Sequence, residues 1–225
     1  MYEDRNPEEP IMTTALPALG LSERLRGETR QAHDKAEHSS FMEELLGGEL
    51  DAAAFIALQE QALLFYTALE EAVEACAGDS RLADIADRQL DRRAALVADL
   101  TVLGGTVNAE PLPETAAYVA ELQRIGRDGD VPALIAHHYT RYLGDLAGGQ
   151  VIGRLMGRHY GVASDCLTFY EFPHIPKPKV YRDGYRAALD ALQLTEEEQQ
   201  HLLDSSSDAF AFNSGVFEGL ERARG

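Results

Sequence analysis

Phe55, Leu58, Ala62, Phe65, Leu69, Ala72 and Cys76 follow one another at spacings of three and four. That period is the apolar stripe of a helix about six turns long. A stripe of this length has to be covered by several other elements, so it commits the chain to a helical core. The same period returns from Leu21 to the end of the chain, and no stretch alternates apolar and polar residues between turn signals as a strand would. The chain therefore reads as all-α, with about eight helices. With 225 residues, 45% of them hydrophobic, it can bury one sizeable core, and one domain is expected.

Breaks in the period set the organisation. Residues 1–17 hold Pro7, Pro10 and Pro17 with Glu3, Asp4, Glu8 and Glu9, and read as a disordered acidic arm before a helical domain over 18–225. Ser22 is placed to cap a first helix that carries His33, with Met42 and Leu45 two to three turns further on. Residues 81–103 read as a helix ended by Gly104-Gly105. Pro111 and Pro113 precede another from about Glu114. A long helix spans Val131 to about Tyr160, and a loop from Gly161 to Pro178 holds Pro173, Pro176 and Pro178. Helices over 179–192 and 195–222 finish the chain.

The net charge of −18, from 38 acids against 20 Lys+Arg, argues against nucleic acid as a partner. It makes local basic clusters the informative exceptions. Cys76 and Cys166 form neither a CxxC nor a CxxCH motif, and a reducing cytoplasm is the simplest setting. The N-terminus is acidic, without the apolar run of a signal peptide. No segment reads as the ~18–20 apolar residues of a membrane span. A soluble monomer without a membrane anchor is expected.

Two segments carry chemistry. In the long helix, Gly144, Gly148 and Gly149 fall at i, i+4 and i+5 beside Asp145. Each glycine inside a helix costs about 1 kcal/mol relative to alanine. Three together suggest that something flat and bulky approaches the backbone on their shared face. Close helix packing through small residues is the other reading. Near the start, His33 and Glu37 stand at i and i+4 on one face. A carboxylate beside an imidazole can fix its tautomer and leave the other nitrogen for a metal; a surface ion pair has the same spacing.

Taken together, ETRQAHDKAEHSSFM (from Glu28) and YTRYLGDLAGGQVIGRLM (from Tyr139) resemble the proximal and distal helices of the heme oxygenase family. The likeness continues through FYTALEEAVEA, FYEFP, YRDGYRAALDAL and DAFAFNSGVFEGL, and covers nearly all of residues 20–223. It implies a helical fold that sandwiches heme between the first helix and a kinked, glycine-rich distal helix. It also implies cleavage of heme at a meso carbon to biliverdin, Fe²⁺ and CO, using O₂ and electrons from a separate reductase or ferredoxin. Attack at the α carbon is the expected regiochemistry.

By that resemblance His33 is the iron ligand, with Glu37 beside it. Asp145 anchors the waters of the reaction, in a network with Tyr66, Tyr139 and Arg141 next to Gly144. Gly148 and Gly149 admit the porphyrin. Arg26, Arg182 and Arg186, with Tyr185 between the last two, clamp the propionates. Met42 and Leu45 line the heme edge, and Phe210, Asn213 and Phe217 approach from the last helix. Two other readings stay open at this level. A non-enzymatic heme carrier would keep His33 but could lose Asp145 or fill the glycine face. A di-iron carboxylate enzyme would use two ExxH motifs, for which Glu198-x-x-His201 is one match and Glu171-x-x-His174, interrupted by Pro173, a poor second.

Overall fold

A computed structural model describes residues 19–225, so the expected arm over 1–17 lies outside the described residues. Eight helices make up the described chain: α1 Leu21–Glu37, α2 Ser40–Gly47, α3 Ala52–Ala75, α4 Arg93–Leu103, α5 Pro113–Asp128, α6 Val131–Tyr160, α7 Pro178–Ala191 and α8 Glu196–Arg224. Short 3₁₀ turns fill the connections, and no strand occurs among the described residues.

Local chemistry starts and stops the helices. The Asp51 carboxylate accepts Ala54 N–H at 2.9 Å to open α3. Asp130 accepts Ala133 N–H at the head of α6, where Pro132 fills a position that needs no donor. Thr195 and Glu198 form a reciprocal capping box on α8. Gly129 and Gly161, both at φ 66°, end α5 and α6 in the left-handed conformation that glycine adopts without penalty.

α3 is the central helix, packed against α4, α5, α6 and α8. Its expected stripe is buried except at Leu58, which is half-buried. One expectation is corrected here: by length and composition α3 is apolar enough to cross a membrane. Half of that stretch is buried inside the bundle, where α3 serves as the core helix.

Three other local readings change. Ser22 does not cap α1; the helix begins at Leu21, and Ser22 gives its N–H and its hydroxyl to Asp190 of α7 at 2.8 and 2.9 Å. The helical run does not continue to Met42: His38 ends α1 and Ser39 is extended, so Met42 and Leu45 belong to the separate α2. The expected helix over 81–103 is an α-helix only from Arg93. Before it, the Asp79 and Asp87 carboxylates accept the N–H groups of Arg81 and Gln89 and fold that stretch into 3₁₀ turns. Asp favours such local side-chain-to-backbone bonds over a continuing helix.

Two relationships place the site. α8 packs along both α1 and α6, and α7 also touches both, while α1 and α6 scarcely touch each other. α1 and α6 are therefore joined mainly through α8 and α7, and the resemblance puts the heme cleft between them. α6 itself is helical throughout its 30 residues, glycines included.

Candidate active site

His33 projects from α1 with its side chain 48% exposed. Asp34 Oδ1 lies 3.6 Å from Nδ1 and Glu37 Oε1 lies 3.5 Å from Nε2. These are loose ion-pair distances, longer than a good hydrogen bond, so neither nitrogen is firmly engaged. The edge of Phe210 from α8 meets the ring at a centroid distance of 5.8 Å.

Opposite, α6 carries a polar network. Tyr66 of α3 donates its phenol to Asp145, Arg141 Nε donates to Tyr66 Oη at 3.3 Å, and Arg141 Nη1 donates to Asn213 of α8. The Arg141 guanidinium also lies over the rings of Phe65 and Tyr66 at 4.9 and 5.3 Å. Burial raises the Asp145 pKa above the usual carboxylate value, while Arg141, the Tyr66 hydrogen bond and Arg92 pull it back. Burial also pushes the Tyr66 phenol well up, so it stays a donor. For Arg141, burial opposes the charge, but Tyr66, Asp145 and Tyr118 outweigh it and the guanidinium stays protonated.

The three glycines do not share a face. A Cβ on Gly144 or Gly148 would meet nothing within 4 Å, so the backbone there opens onto free space. A Cβ on Gly149 would meet the Tyr170 ring at 3.3 Å, and one on Gly153 would meet the Tyr170 Cβ at 3.4 Å and its ring at 3.5 Å. The reason is helix geometry: successive residues are about 100° apart, so Gly149 joins Gly153 on a second face, covered by Tyr170. Gly149 is thus placed in packing and does not open onto the cleft.

The cations gather at the α7 end. Arg26 and Arg186 lie close enough to Tyr139 that, although burial raises that phenol's pKa, their charges pull it down. Arg182 has a buried Nε with no partner among the described residues. Arg186 reaches Asp183 at 3.1 Å, an exposed pairing that is weak. Tyr185 is buried, and its hydroxyl meets Nδ1 of the equally buried His138 at 2.8 Å, so it ties α7 to α6. Met42 and Leu45 are buried in the core, and Phe217 stacks on Phe41 at 6.4 Å.

Other histidines are occupied elsewhere. His137 meets the Tyr118 hydroxyl at 3.3 Å. His201 binds both oxygens of Asp130 at 2.8 and 3.0 Å. Glu198, its partner in the one good ExxH match, is held by Thr195 and Arg81. No cluster of three metal-ligating side chains occurs among the described residues, which removes the basis for the di-iron reading. Sequence reading missed the layer behind Tyr66, where Phe169 packs edge-on at 5.4 Å and Tyr170 covers the second glycine face; only the FYEFP string hinted at it.

The cleft therefore offers a half-exposed imidazole, a backbone wall bare of side chains, and cations with an unpartnered guanidinium nitrogen. These fit a flat iron tetrapyrrole with two carboxylates. The comparisons agree. The heme oxygenase family model matches residues 19–219. Heme oxygenase 1 of Bos taurus is 34% identical over 220 residues, covering 95% of this chain and 75% of that protein. Heme oxygenase of the alga Pyropia yezoensis is 33% identical over 204 residues, covering 89% and 85%. Among solved structures, heme oxygenase from Leptospira interrogans superposes with a TM-score of 0.83 at 32% identity, covering 88% of this chain and 98% of that one. Heme oxygenase-1 from the cyanobacterium Synechocystis, in complex with heme, superposes at 0.85 with 28% identity, covering 91% and 94%. The fold and cleft define a helical oxidoreductase of heme degradation, and the chain belongs to the heme oxygenase family.

Proposed function

We propose that this chain binds heme in the α1–α6 cleft through His33 and cleaves it with O₂ and electrons from a separate donor, releasing biliverdin, Fe²⁺ and CO. Bound heme supplies both the iron centre at which O₂ is activated and the meso carbon that is oxidised. The protein's part is positioning and proton control.

His33 contributes one imidazole nitrogen as the axial ligand, a good donor for heme iron. Glu37 or Asp34 takes the N–H of the other nitrogen and fixes the tautomer. Gly144 and Gly148 let the backbone of α6 come close to the ring. Arg26, Arg182 and Arg186, with Tyr139 beside them, hold the propionates, where guanidinium forks suit carboxylates. That clamp fixes the in-plane rotation and directs attack to the α carbon.

Asp145 carries the reading. Its carboxylate is held by Tyr66 beside the bare glycine wall, where it can order water and deliver protons without a side chain intruding. A heme carrier would need no such group. The electron donor is a separate redox protein of acidic surface. Exposed Arg154 and Arg158 on α6 and Lys177 before α7 supply the matching charge in an otherwise acidic protein. The protein acts as a soluble monomer in the cytoplasm.

Aerobic turnover of the heme complex with ascorbate or a reductase, followed by product chromatography, tests this. Biliverdin and CO in equal amounts are expected. Stable heme binding without ring opening would favour the carrier.

A further inference from the structure

Arg92 is 5% exposed and Asp99 is 1% exposed. They are the two charged side chains that α4 and its leading residue bury. They stand seven residues apart, two helical turns, and so share a face. Both are spent on one short stretch of chain. Arg92 Nη1 donates to the carbonyls of Phe169 and Glu171 at 3.1 and 2.6 Å. Its Nε donates to the carbonyls of Leu90 and Asp91, each at 2.8 Å, and its guanidinium lies 3.9 Å over the Phe172 ring. Asp99 accepts Thr168 N–H at 3.0 Å, the Thr168 hydroxyl at 2.6 Å and Phe169 N–H at 2.8 Å.

A buried cation satisfied by neutral carbonyls and a buried carboxylate satisfied by neutral donors are costly choices for a staple. What they fasten explains them. Phe169 meets the Tyr66 ring edge-on at 5.4 Å. Tyr170 fills the Gly149/Gly153 face of α6, accepts Gln59 Nε2 at 2.8 Å and stacks on Phe55 at 6.4 Å. The backbone N–H groups of Arg92 and Arg93 both donate to Glu70, one turn beyond Tyr66 on α3, at 2.6 and 2.8 Å. Through Phe169, Tyr170 and Glu70 the clamp therefore reaches Tyr66, other turns of α3, and the back of the α6 segment that carries Asp145.

We propose that Arg92 and Asp99 are positioning residues for the reaction: they lock the Leu167–Glu171 stretch so that Phe169 and Tyr170 hold Tyr66 and α6 at the spacing the Asp145 hydrogen bond requires. The Arg92 charge has a second effect, because its positive field reaches Asp145 and Tyr66. It opposes the rise in the Asp145 carboxyl pKa that desolvation causes.

This rests on Asp145 being the carboxylate of the reaction, so the test has one arm without turnover. Arg92→Gln and Arg92→Lys are made in the full chain. In heme-free protein, carboxyl and tyrosine-ring NMR follows the Asp145 titration and the Tyr66 signal. Arg92→Gln should move the Asp145 midpoint upward and shift Tyr66, and Arg92→Lys should restore the midpoint. With heme, Arg92→Gln should lower kcat by about tenfold, the lower end for loss of an outer-layer partner, with heme affinity unchanged. A fall in Tm with an unmoved Asp145 titration would show a staple only and overturn the proposal. A shifted titration with full kcat would overturn the catalytic reading of Asp145, and this proposal with it. Should Arg92→Gln fail to fold, Phe169→Leu removes the contact on Tyr66 and leaves both buried charges in place. Its Tyr66 signal and kcat should both change, and wild-type values for both would overturn the clamp.

Discussion

Tyr66 on α3 donates its phenol to Asp145 on α6, so the acid beside the glycine wall is held by a helix from across the core. Arg141, one turn before Asp145, grips the same phenol and reaches α8 through Asn213. Asp145→Ala should leave heme binding through His33 intact, because the carboxylate touches no part of the α1 side. Biliverdin formation should fall by about tenfold, which is about 1.4 kcal/mol in the barrier and a plausible size for one disturbed network. Spectra of the heme complex and chromatographic yield check both halves; a normal yield would leave Asp145 as a packing residue.

His33→Ala should keep the fold. The side chain is about half exposed, and alanine favours the helix. The heme spectrum should lose its axial imidazole band and activity should collapse, with partial recovery on adding free imidazole. An unchanged spectrum would assign the ligand to another histidine, of which His137 and His138 are already bound to tyrosines.

How far the sequence reached differs by element. α6, α7 and α8 were legible to within a residue or two, helped by Pro132, Gly161 and Pro178 as strong local signals. The break at His38–Ser39 has no glycine or proline to announce it, so α1 and α2 read as one. In the site, His33, Asp145 and the arginines were visible as a motif. That Gly149 leaves the face of Gly148 follows from the 100° step of the helix; which of the two faces is covered was not legible, because only Tyr170, far along the chain, decides it. The Arg92 clamp was invisible for a similar reason: its partners are backbone carbonyls, which leave no mark in sequence.

Reversing the charges at Arg182 and Arg186 tests the propionate clamp. Arg182 has a nitrogen without a partner and Arg186 has only an exposed one, so neither is needed for the fold. The double change to Glu should weaken heme binding and shift the biliverdin isomer ratio away from α. Unchanged affinity with an unchanged ratio would place the propionates elsewhere.

The buried histidines set an acid limit on stability. Burial depresses His137 to about 4 and His138 to about 3, against an ordinary value near 6.5. Below about pH 6.5 the unfolded chain takes up protons that the folded one refuses. The stability they contribute is present above that pH and is lost as pH falls toward 4. Each unit of depression corresponds to about 1.4 kcal/mol. Tm should therefore decline steadily from pH 7 to pH 4, and His138→Gln should flatten the decline while lowering Tm at neutral pH through loss of the Tyr185 contact. An equal slope in the variant would show that carboxylates alone govern acid unfolding.

Adjacent glycines should respond in opposite directions. Gly148 faces free space, so Gly148→Ala adds helix propensity without a clash and should stabilise the heme-free protein by about 0.5–1 kcal/mol. The same methyl stands on the wall that heme approaches, so heme affinity should drop. Gly149→Ala places its Cβ 3.3 Å from the Tyr170 ring, which is held by Gln59 and packed on Phe55 and cannot yield freely. It should lose about 1–3 kcal/mol, the range for overpacking a filled site. Thermal unfolding of the heme-free variants, paired with heme titration, separates the two. Destabilisation by Gly148→Ala, or unchanged heme affinity in that variant, would contradict the assignment of its face to the cleft.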